Sequence, residues 1–193
     1  MKICVYGAAS PTVDPVYIEA VEEMGREMVA RDHSLIFGGG ANGLMGAAAR
    51  GVRDAGGNIT GVIPKFFGNE SIEEICDYCD KLIETDTMRE RKQIMEENAD
   101  AFIVVPGGIG TLEEFFETLT LKQLCRHNKP IAIYNVKGYY NGLEQFMEQA
   151  ANEYFVRNSC KKLYLMTDNL KELFSYIENK QPQNYTVKDL KVG

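Results

Sequence analysis

The chain has 193 residues, 45% hydrophobic and 25% charged, the balance of an ordinary globular protein with enough length for a sizeable core. A formal net charge of −7 argues against a nucleic-acid backbone as partner but leaves a small phosphorylated ligand open. No apolar run approaches the roughly 18–20 residues of a membrane helix, and the start enters a strand without a signal-peptide pattern, so the default expectation is no membrane and a cytoplasmic location.

Ile3 to Tyr6 reads as the first strand, ending in the small-residue turn Gly7-Ala8-Ala9-Ser10. A helix follows from Pro15 to Ala30, with Asp14 as N-cap and proline in the first helical position. Ser34 to Phe37 is a second strand. Gly38-Gly39-Gly40-Ala41-Asn42-Gly43 turns it into a helix from Leu44 to Ala55, which Gly56-Gly57 stops. Ile59 to Ile63 is a third strand ended by Pro64, and Lys65 to Glu74 is a loop without a clear period. Lys81 to Glu84 is a fourth strand and Thr87 to Asn98 a charged helix.

Ala101 to Val105 is a short apolar run of the kind buried in a parallel sheet. The turn Pro106-Gly107-Gly108-Ile109-Gly110-Thr111-Leu112-Glu113-Glu114 leads from it into an apolar-faced helix from Phe115 to Leu124. Pro130 to Tyr134, Tyr140 to Glu153, Lys162 to Met166 and Leu170 to Glu178 continue the alternation of strand and helix. The expected fold is therefore α/β, a single doubly wound, Rossmann-like parallel sheet with helices on both faces. One domain spans 1–180, and the polar residues 181–193 read as a loose tail.

In such sheets ligands bind beyond the carboxyl ends of the strands, where all three glycine turns lie. The 106–114 turn carries the most chemistry. Strand, glycine turn and helix aim free backbone N–H groups at an anion, and glycine lets the backbone approach a ligand closely. Thr111 adds a hydroxyl and Glu114 a carboxylate. Glu114 has a bland role, complementing the helix dipole as Glu113 does, and a chemical one beside a developing positive charge on a sugar.

The turn with Gly39, Gly40 and Gly43 is denser in glycine than a tight turn alone requires. It lacks the Gly-Lys-Ser/Thr ending of a P-loop, which disfavours a kinase or ATPase, and the first turn, Gly7 to Ser10, lacks the G-x-G-x-x-G spacing of a dinucleotide site. Ser10 faces the same crevice. In Met88-Arg89-Glu90-Arg91-Lys92, three cations at a helix start oppose the macrodipole. Arg91 is the stronger candidate for a ligand contact and Arg89 the weaker. A helix N-terminus contributes about 0.3–1 kcal/mol to anion binding. An arginine about 4 Å from a phosphate contributes roughly 4 kcal/mol at an effective dielectric near 20. Cradle and arginine together would hold a phosphate well.

The cysteines Cys4, Cys76, Cys79, Cys125 and Cys160 are odd in number, which argues against a disulfide framework. Cys76-Asp77-Tyr78-Cys79 has C-x-x-C spacing, but no second pair answers it and His33 and His127 lie far away. The five read as free thiols, with no metal site expected.

Pro106-Gly-Gly-x-Gly-Thr-x-x-Glu114, with Met88-x-x-Arg91-Lys92 and Gly38-Gly-Gly-x-x-Gly43-Leu-Met-Gly46, resembles the LOG family, the cytokinin riboside 5′-monophosphate phosphoribohydrolases. The resemblance runs from about Met1 to Glu178. It implies hydrolysis of the N-glycosidic bond of a nucleoside 5′-monophosphate, for several bacterial members including AMP, to free base and ribose 5-phosphate. It further implies Arg91 and Glu114 as the catalytic pair. Ser10, Gly39, Gly40, Gly43, Met88, Lys92, Gly107, Gly108, Ile109, Gly110, Thr111, Leu112, Glu113 and Thr120 are the implied substrate-binding set. No cofactor is implied, and the expected partner is a second copy, a homodimer with the site near the interface.

Two departures stand out. Many plant-type members carry a glutamate soon after the proline that ends the third strand, where this chain has Lys65-Phe66-Phe67. The first turn has Ala9-Ser10 where two serines are usual. The lysine decarboxylase label often given to such proteins finds no Schiff-base lysine motif here. A rival reading is a nucleotide or molybdenum-cofactor carrier, which needs the cradle but not the Glu114–Arg91 pair.

Overall fold

Apolar runs too short for helices and helices too amphipathic to stand alone assemble into one seven-stranded sheet. The computed structural model describes residues 1–70, 73–179 and 185–191. In chain order the elements are β1 (Lys2–Tyr6), α1 (Pro15–Ala30), β2 (Ser34–Phe37), α2 (Gly43–Asp54), β3 (Ile59–Pro64), α3 (Lys65–Asn69), β4 (Lys81–Thr85), α4 (Met88–Asn98), β5 (Ala101–Val104), α5 (Ile109–Gln123), β6 (Ile131–Tyr134), α6 (Asn141–Asn152), β7 (Leu165–Thr167), α7 (Leu170–Glu178) and α8 (Val187–Leu190). The strand order is β4-β3-β2-β1-β5-β6-β7 and every pairing is parallel. The order reverses between β1 and β5, whose carboxyl ends open a natural crevice.

Parallel strands are covered on both faces, and the side-chain alternation of β1 divides the core accordingly. Ile3 and Val5 pack with Met24 and Met28 of α1, Ala47 and Val52 of α2, and Leu173 and Phe174 of α7. Cys4 and Tyr6 point the other way, toward Met95 of α4, Phe115 and Leu119 of α5, and Met147 of α6.

Three sequence expectations need adjustment. The stretch after Pro64 holds one short helix, α3, in place of a pure loop. The helix expected from Phe115 begins at Ile109, because the glycine turn itself supplies the first helical turn. The last strand is shorter and later than 162–166, since residues Asn158–Lys162 form a 3-10 turn.

The tail expected to be loose is docked wherever it is described. Leu190 is fully buried, and its carbonyl accepts hydrogen bonds from Gln123 and from the Cys160 thiol. Two hydrophobic side chains in a polar segment, Leu190 and the partly buried Tyr185, anchor it, which a compositional reading overlooks. Residues 180–184 and 192–193 lie outside the described part.

Candidate active site

The crevice predicted by the strand order is a cleft of about 420 Å³. Its floor and walls are Gly7 to Ser10 after β1, Met45 of α2, Phe67 of α3, Glu73, Met88 and Arg91 of α4, and Gly108, Gly110, Thr111, Glu113 and Glu114 around the start of α5. Three turns far apart in sequence meet because glycine lets them. Gly43 has φ of 60°, and a side chain there would run into the backbone of Ala8, Ala9 and Ser10. The Ala8 carbonyl accepts the amide of Leu44 at 2.8 Å, tying the first turn to α2. At Gly108 and Gly110, by contrast, an added Cβ would meet nothing within 4 Å. Their bareness serves no internal packing and keeps the turn open toward the cleft.

The first N–H groups of α5 have no acceptor within the helix, and the N-cap Gly108 offers no side chain to satisfy them. Free N–H groups of this kind are the donors an anion would need. Thr111 is buried on the same turn, and Glu114 follows one turn later on the same face.

Arg91 is built into the wall with care. A side chain at Gly38 would overlap its guanidinium. Its Nε donates to the Val62 carbonyl at 3.1 Å and its Nη2 to the Gly38 carbonyl at 3.1 Å. Nη1 reaches Glu114 Oε1 at 3.4 Å, a long contact for an ion pair in which both side chains are at most 10% exposed. Phe67 lies under the guanidinium, 5.7 Å from ring centroid to Cζ. Of the five N–H donors of a guanidinium, these bonds use three, which leaves donors for a ligand in the cleft.

Burial pushes the Glu114 carboxyl up to about 7, and the Arg91 charge opposes but does not cancel this. A carboxyl balanced near neutrality is suited to moving a proton at physiological pH.

The structure brings half of the predicted set together in the cleft. Arg91, Glu114, Ser10, Met88, Gly108, Gly110, Thr111 and Glu113 line the cleft. Gly39, Gly40 and Gly43 do not line it; they shape the turns behind it. Gly107 lines an adjoining cavity of about 260 Å³ that shares Ala8, Ser10 and Gly108, and its carbonyl accepts the Tyr139 hydroxyl at 2.9 Å. Ile109 is 90% exposed, and Leu112 packs against the core beside α4 and α5. Lys92 is clamped between Glu113 and Glu117 rather than aimed into the cleft. Exposed Arg89 and Thr120 lie outside it; Thr120 belongs to a separate apolar groove beside α6.

Sequence reading missed Glu73, Phe67 and Met45. Glu73 is the most consequential. Its Oε2 is buried without a hydrogen-bond partner among the described residues, and burial raises its pKa while Arg91 lowers it. It reaches the cleft because Gly40 pairs with Ile75 in an antiparallel bridge. Lys65-Phe66-Phe67 follow Pro64 directly, and the glutamate that lines the cleft, Glu73, comes from farther along the segment. No periodicity marked it; the only available signal was the cluster of acids at 70–74.

Comparison with known proteins follows the same lines. Residues 45–177 match a family model described as possible lysine decarboxylase. The chain is 37% identical over 191 residues to a probable cytokinin riboside 5′-monophosphate phosphoribohydrolase, LOGL2, of Oryza sativa subsp. japonica, covering 96% of this chain and 75% of the relative. It is 38% identical to the cytokinin riboside 5′-monophosphate phosphoribohydrolase LOG7 of Arabidopsis thaliana, covering 94% and 83%. Among solved structures, the molybdenum cofactor carrier protein of Chlamydomonas reinhardtii superposes with a TM-score of 0.70 over 92% of this chain and 95% of the carrier. At 21% identity that likeness establishes the fold alone.

Proposed function

The chain belongs to the LOG family of cytokinin riboside 5′-monophosphate phosphoribohydrolases, and we propose that it hydrolyses the N-glycosidic bond of a purine nucleoside 5′-monophosphate. The observation that carries this reading is a buried glutamate and arginine facing one cleft beside an open amide turn. The phosphate rests on the N–H groups of the α5 start, with Arg91 adding charge. Glu114 lies against C1′. As the C1′–N bond breaks, its electron pair leaves with the base and positive charge builds on the ribose, which the Glu114 carboxylate stabilises. Water attacks C1′. Glu114 takes its proton and passes it to the departing base, so that the products are free base and ribose 5-phosphate. Glu73, Phe67 and Met88 form the far wall, where the base would lie.

The description "possible lysine decarboxylase" implies pyridoxal phosphate on a Schiff-base lysine. Among the described residues no lysine lines the cleft, and the buried Lys122 is committed to the Leu163 carbonyl at 2.7 Å, so these residues do not fit that group. A carrier role would need the cradle but gives no reason for Glu114 to be held near neutrality.

The partner in this proposal is a second copy of the chain, in the cytoplasm. Support comes from the apolar groove between α5 and α6, with Phe146 60% and Phe155 79% exposed, on the same helix that opens the cleft. Among the described residues no helix is long and apolar enough to cross a membrane.

The test is incubation with AMP and, separately, with isopentenyladenosine 5′-monophosphate, followed by chromatography for free base. Release of adenine or of the prenylated base supports the reading. Release of neither by folded protein overturns it.

A further inference from the structure

The turn between β5 and α5 is pinned at three successive carbonyls. Val105 accepts the Tyr140 hydroxyl at 2.9 Å, Pro106 the Ala8 amide at 3.1 Å, and Gly107 the Tyr139 hydroxyl at 2.9 Å. The two tyrosines take no part in the proposed hydrolysis, and both come from the turn after β6. Lys137 and Gly138 stand there in succession in the left-handed region, with φ of 54° and 70°. A lysine holds that conformation only where its surroundings impose it. Asn135 closes the turn: its Oδ1 accepts the Tyr140 amide at 2.7 Å and its Nδ2 donates to Asn141 Oδ1 at 2.8 Å. The Tyr139 ring then stands edge-on both to Tyr17 of α1, at 6.1 Å between centroids, and to Tyr140, at 4.9 Å.

The two hydroxyls act on different kinds of peptide. In a trans peptide the C=O and N–H point opposite ways, and both peptides are trans. Val105 is followed by proline, so fixing its carbonyl aims no N–H. Tyr140 is buried, and its bond holds the end of β5 in place. Gly107 is followed by Gly108, whose N–H has no acceptor among the described residues. Gly108 lines the cleft, whereas Tyr139 lines the adjoining cavity and not the cleft. Holding the Gly107 carbonyl on the Tyr139 side therefore turns the Gly108 N–H away from that side. With glycine at both ends, little else resists rotation of this peptide.

We propose that Tyr139 is a positioning residue for the substrate phosphate: its hydroxyl locks the Gly107–Gly108 peptide so that the Gly108 N–H stays aimed into the cleft. This rests on the proposed binding of the phosphate at the start of α5. Tyr139 touches no reacting atom and acts through Gly108 alone. Its contribution is therefore to affinity for the phosphate, equally in the ground state and the transition state, and not to bond breaking.

Tyr139→Phe keeps the ring between Tyr17 and Tyr140 and removes only the hydroxyl. Tyr140→Phe is its counterpart, removing a carbonyl pin with no N–H behind it. The wild type and both variants are compared in AMP hydrolysis, in ribose 5-phosphate binding by calorimetry, and in thermal unfolding. Tyr139→Phe is expected to raise the KM for AMP and the Kd for ribose 5-phosphate together by about fivefold, the size of one hydrogen bond. Its kcat stays within about twofold, the signature of lost uniform binding. Its melting temperature hardly moves, because Tyr139 is 48% exposed and water can replace the hydroxyl at Gly107. Tyr140→Phe shows the reverse: a melting temperature lower by a few degrees and a Kd for ribose 5-phosphate within about twofold of wild type. A Tyr139→Phe protein that binds ribose 5-phosphate as wild type does overturns the proposal. So does an equal loss of affinity in both variants, which would be general loosening of the turn, or a fall in kcat at unchanged KM. Wild-type protein that binds ribose 5-phosphate but releases no base from AMP counts against the hydrolase reading and leaves calorimetry to decide Tyr139. Wild-type protein that binds no ribose 5-phosphate overturns the phosphate site and the role of Tyr139 with it.

Discussion

One helix serves two cavities of opposite character. The first turns of α5 present Thr111 and Glu114 to a cleft whose charged side chains are held by backbone carbonyls and by one another. Its later turns present Phe116, Leu119 and Thr120 to a groove of about 540 Å³ beside α6, lined mainly by apolar atoms. The cleft is fixed by hydrogen bonds that cost desolvation and leave a few donors unspent. The groove has only area to offer. The contrast separates chemistry from association along a single rod, and each end can be disturbed alone.

The largest effect is expected at Glu114. Glu114→Ala should lower AMP turnover about 10³-fold, the scale of losing a group that stabilises charge in a transition state. Affinity for AMP, read by calorimetry, should stay within about tenfold, because the phosphate is held elsewhere. If binding disappears with turnover, the carboxylate is part of the binding site and the division within the cleft is wrong. Arg91→Ala comes next, with a loss of about 10²-fold in kcat/KM for AMP. It should also destabilise the fold by roughly 3 kcal/mol in urea titration, since Glu114 and two carbonyls lose their buried partner. Arg91→Lys should rescue little, because one ammonium cannot span three acceptors in a plane.

What could be read in advance was the local part of this machinery. Pro106 to Glu114 declared itself because strand, glycine turn and helix are contiguous, and Arg91 because a cation at a helix start needs a reason. Glu73 could not be read, since its place depends on the pairing of Gly40 with Ile75 across the fold. Thr120 entered the expected binding set only through the family resemblance. It stands six positions beyond Glu114, about 1.7 turns, which carries it round to another side of the helix and into the groove. Leu190 was hidden by the polarity of its neighbours and is visible only once Cys160 and Gln123 receive it.

A middling effect is expected from pH. With Glu114 required as carboxylate and its pKa near 7, AMP turnover should fall about tenfold per unit on the acid side of neutrality and level off above it. Glu96 also titrates near 7, raised by burial and by Glu117, but it bonds to Thr118 outside the cleft. Glu96→Gln should therefore leave the profile in place, and a profile that moved would assign the titration to the wrong acid. Stability should run the opposite way. The folded state holds the Glu114 proton more tightly than the unfolded chain, so the contribution is complete below the ordinary carboxyl range near 4.5 and is lost as pH rises through 7. Glu114→Gln should accordingly raise the melting temperature by a few degrees at about pH 8 and hardly at all near pH 4.

The smallest effect sharpens the contrast between the two cavities most. Thr120 is exposed, and its hydroxyl lies in the groove, away from the cradle and from Arg91. Thr120→Ala should change kcat/KM for AMP by less than about threefold, the size of one peripheral contact. Phe146→Ser in the same groove should shift sedimentation from dimer toward monomer while each folded chain keeps its cleft. If Thr120→Ala instead cost more than about tenfold in KM with kcat unchanged, uniform binding would have been lost. A side chain that cannot reach its own cleft would then have to reach the cleft of a second copy, and the groove and the site would be one surface shared between two chains.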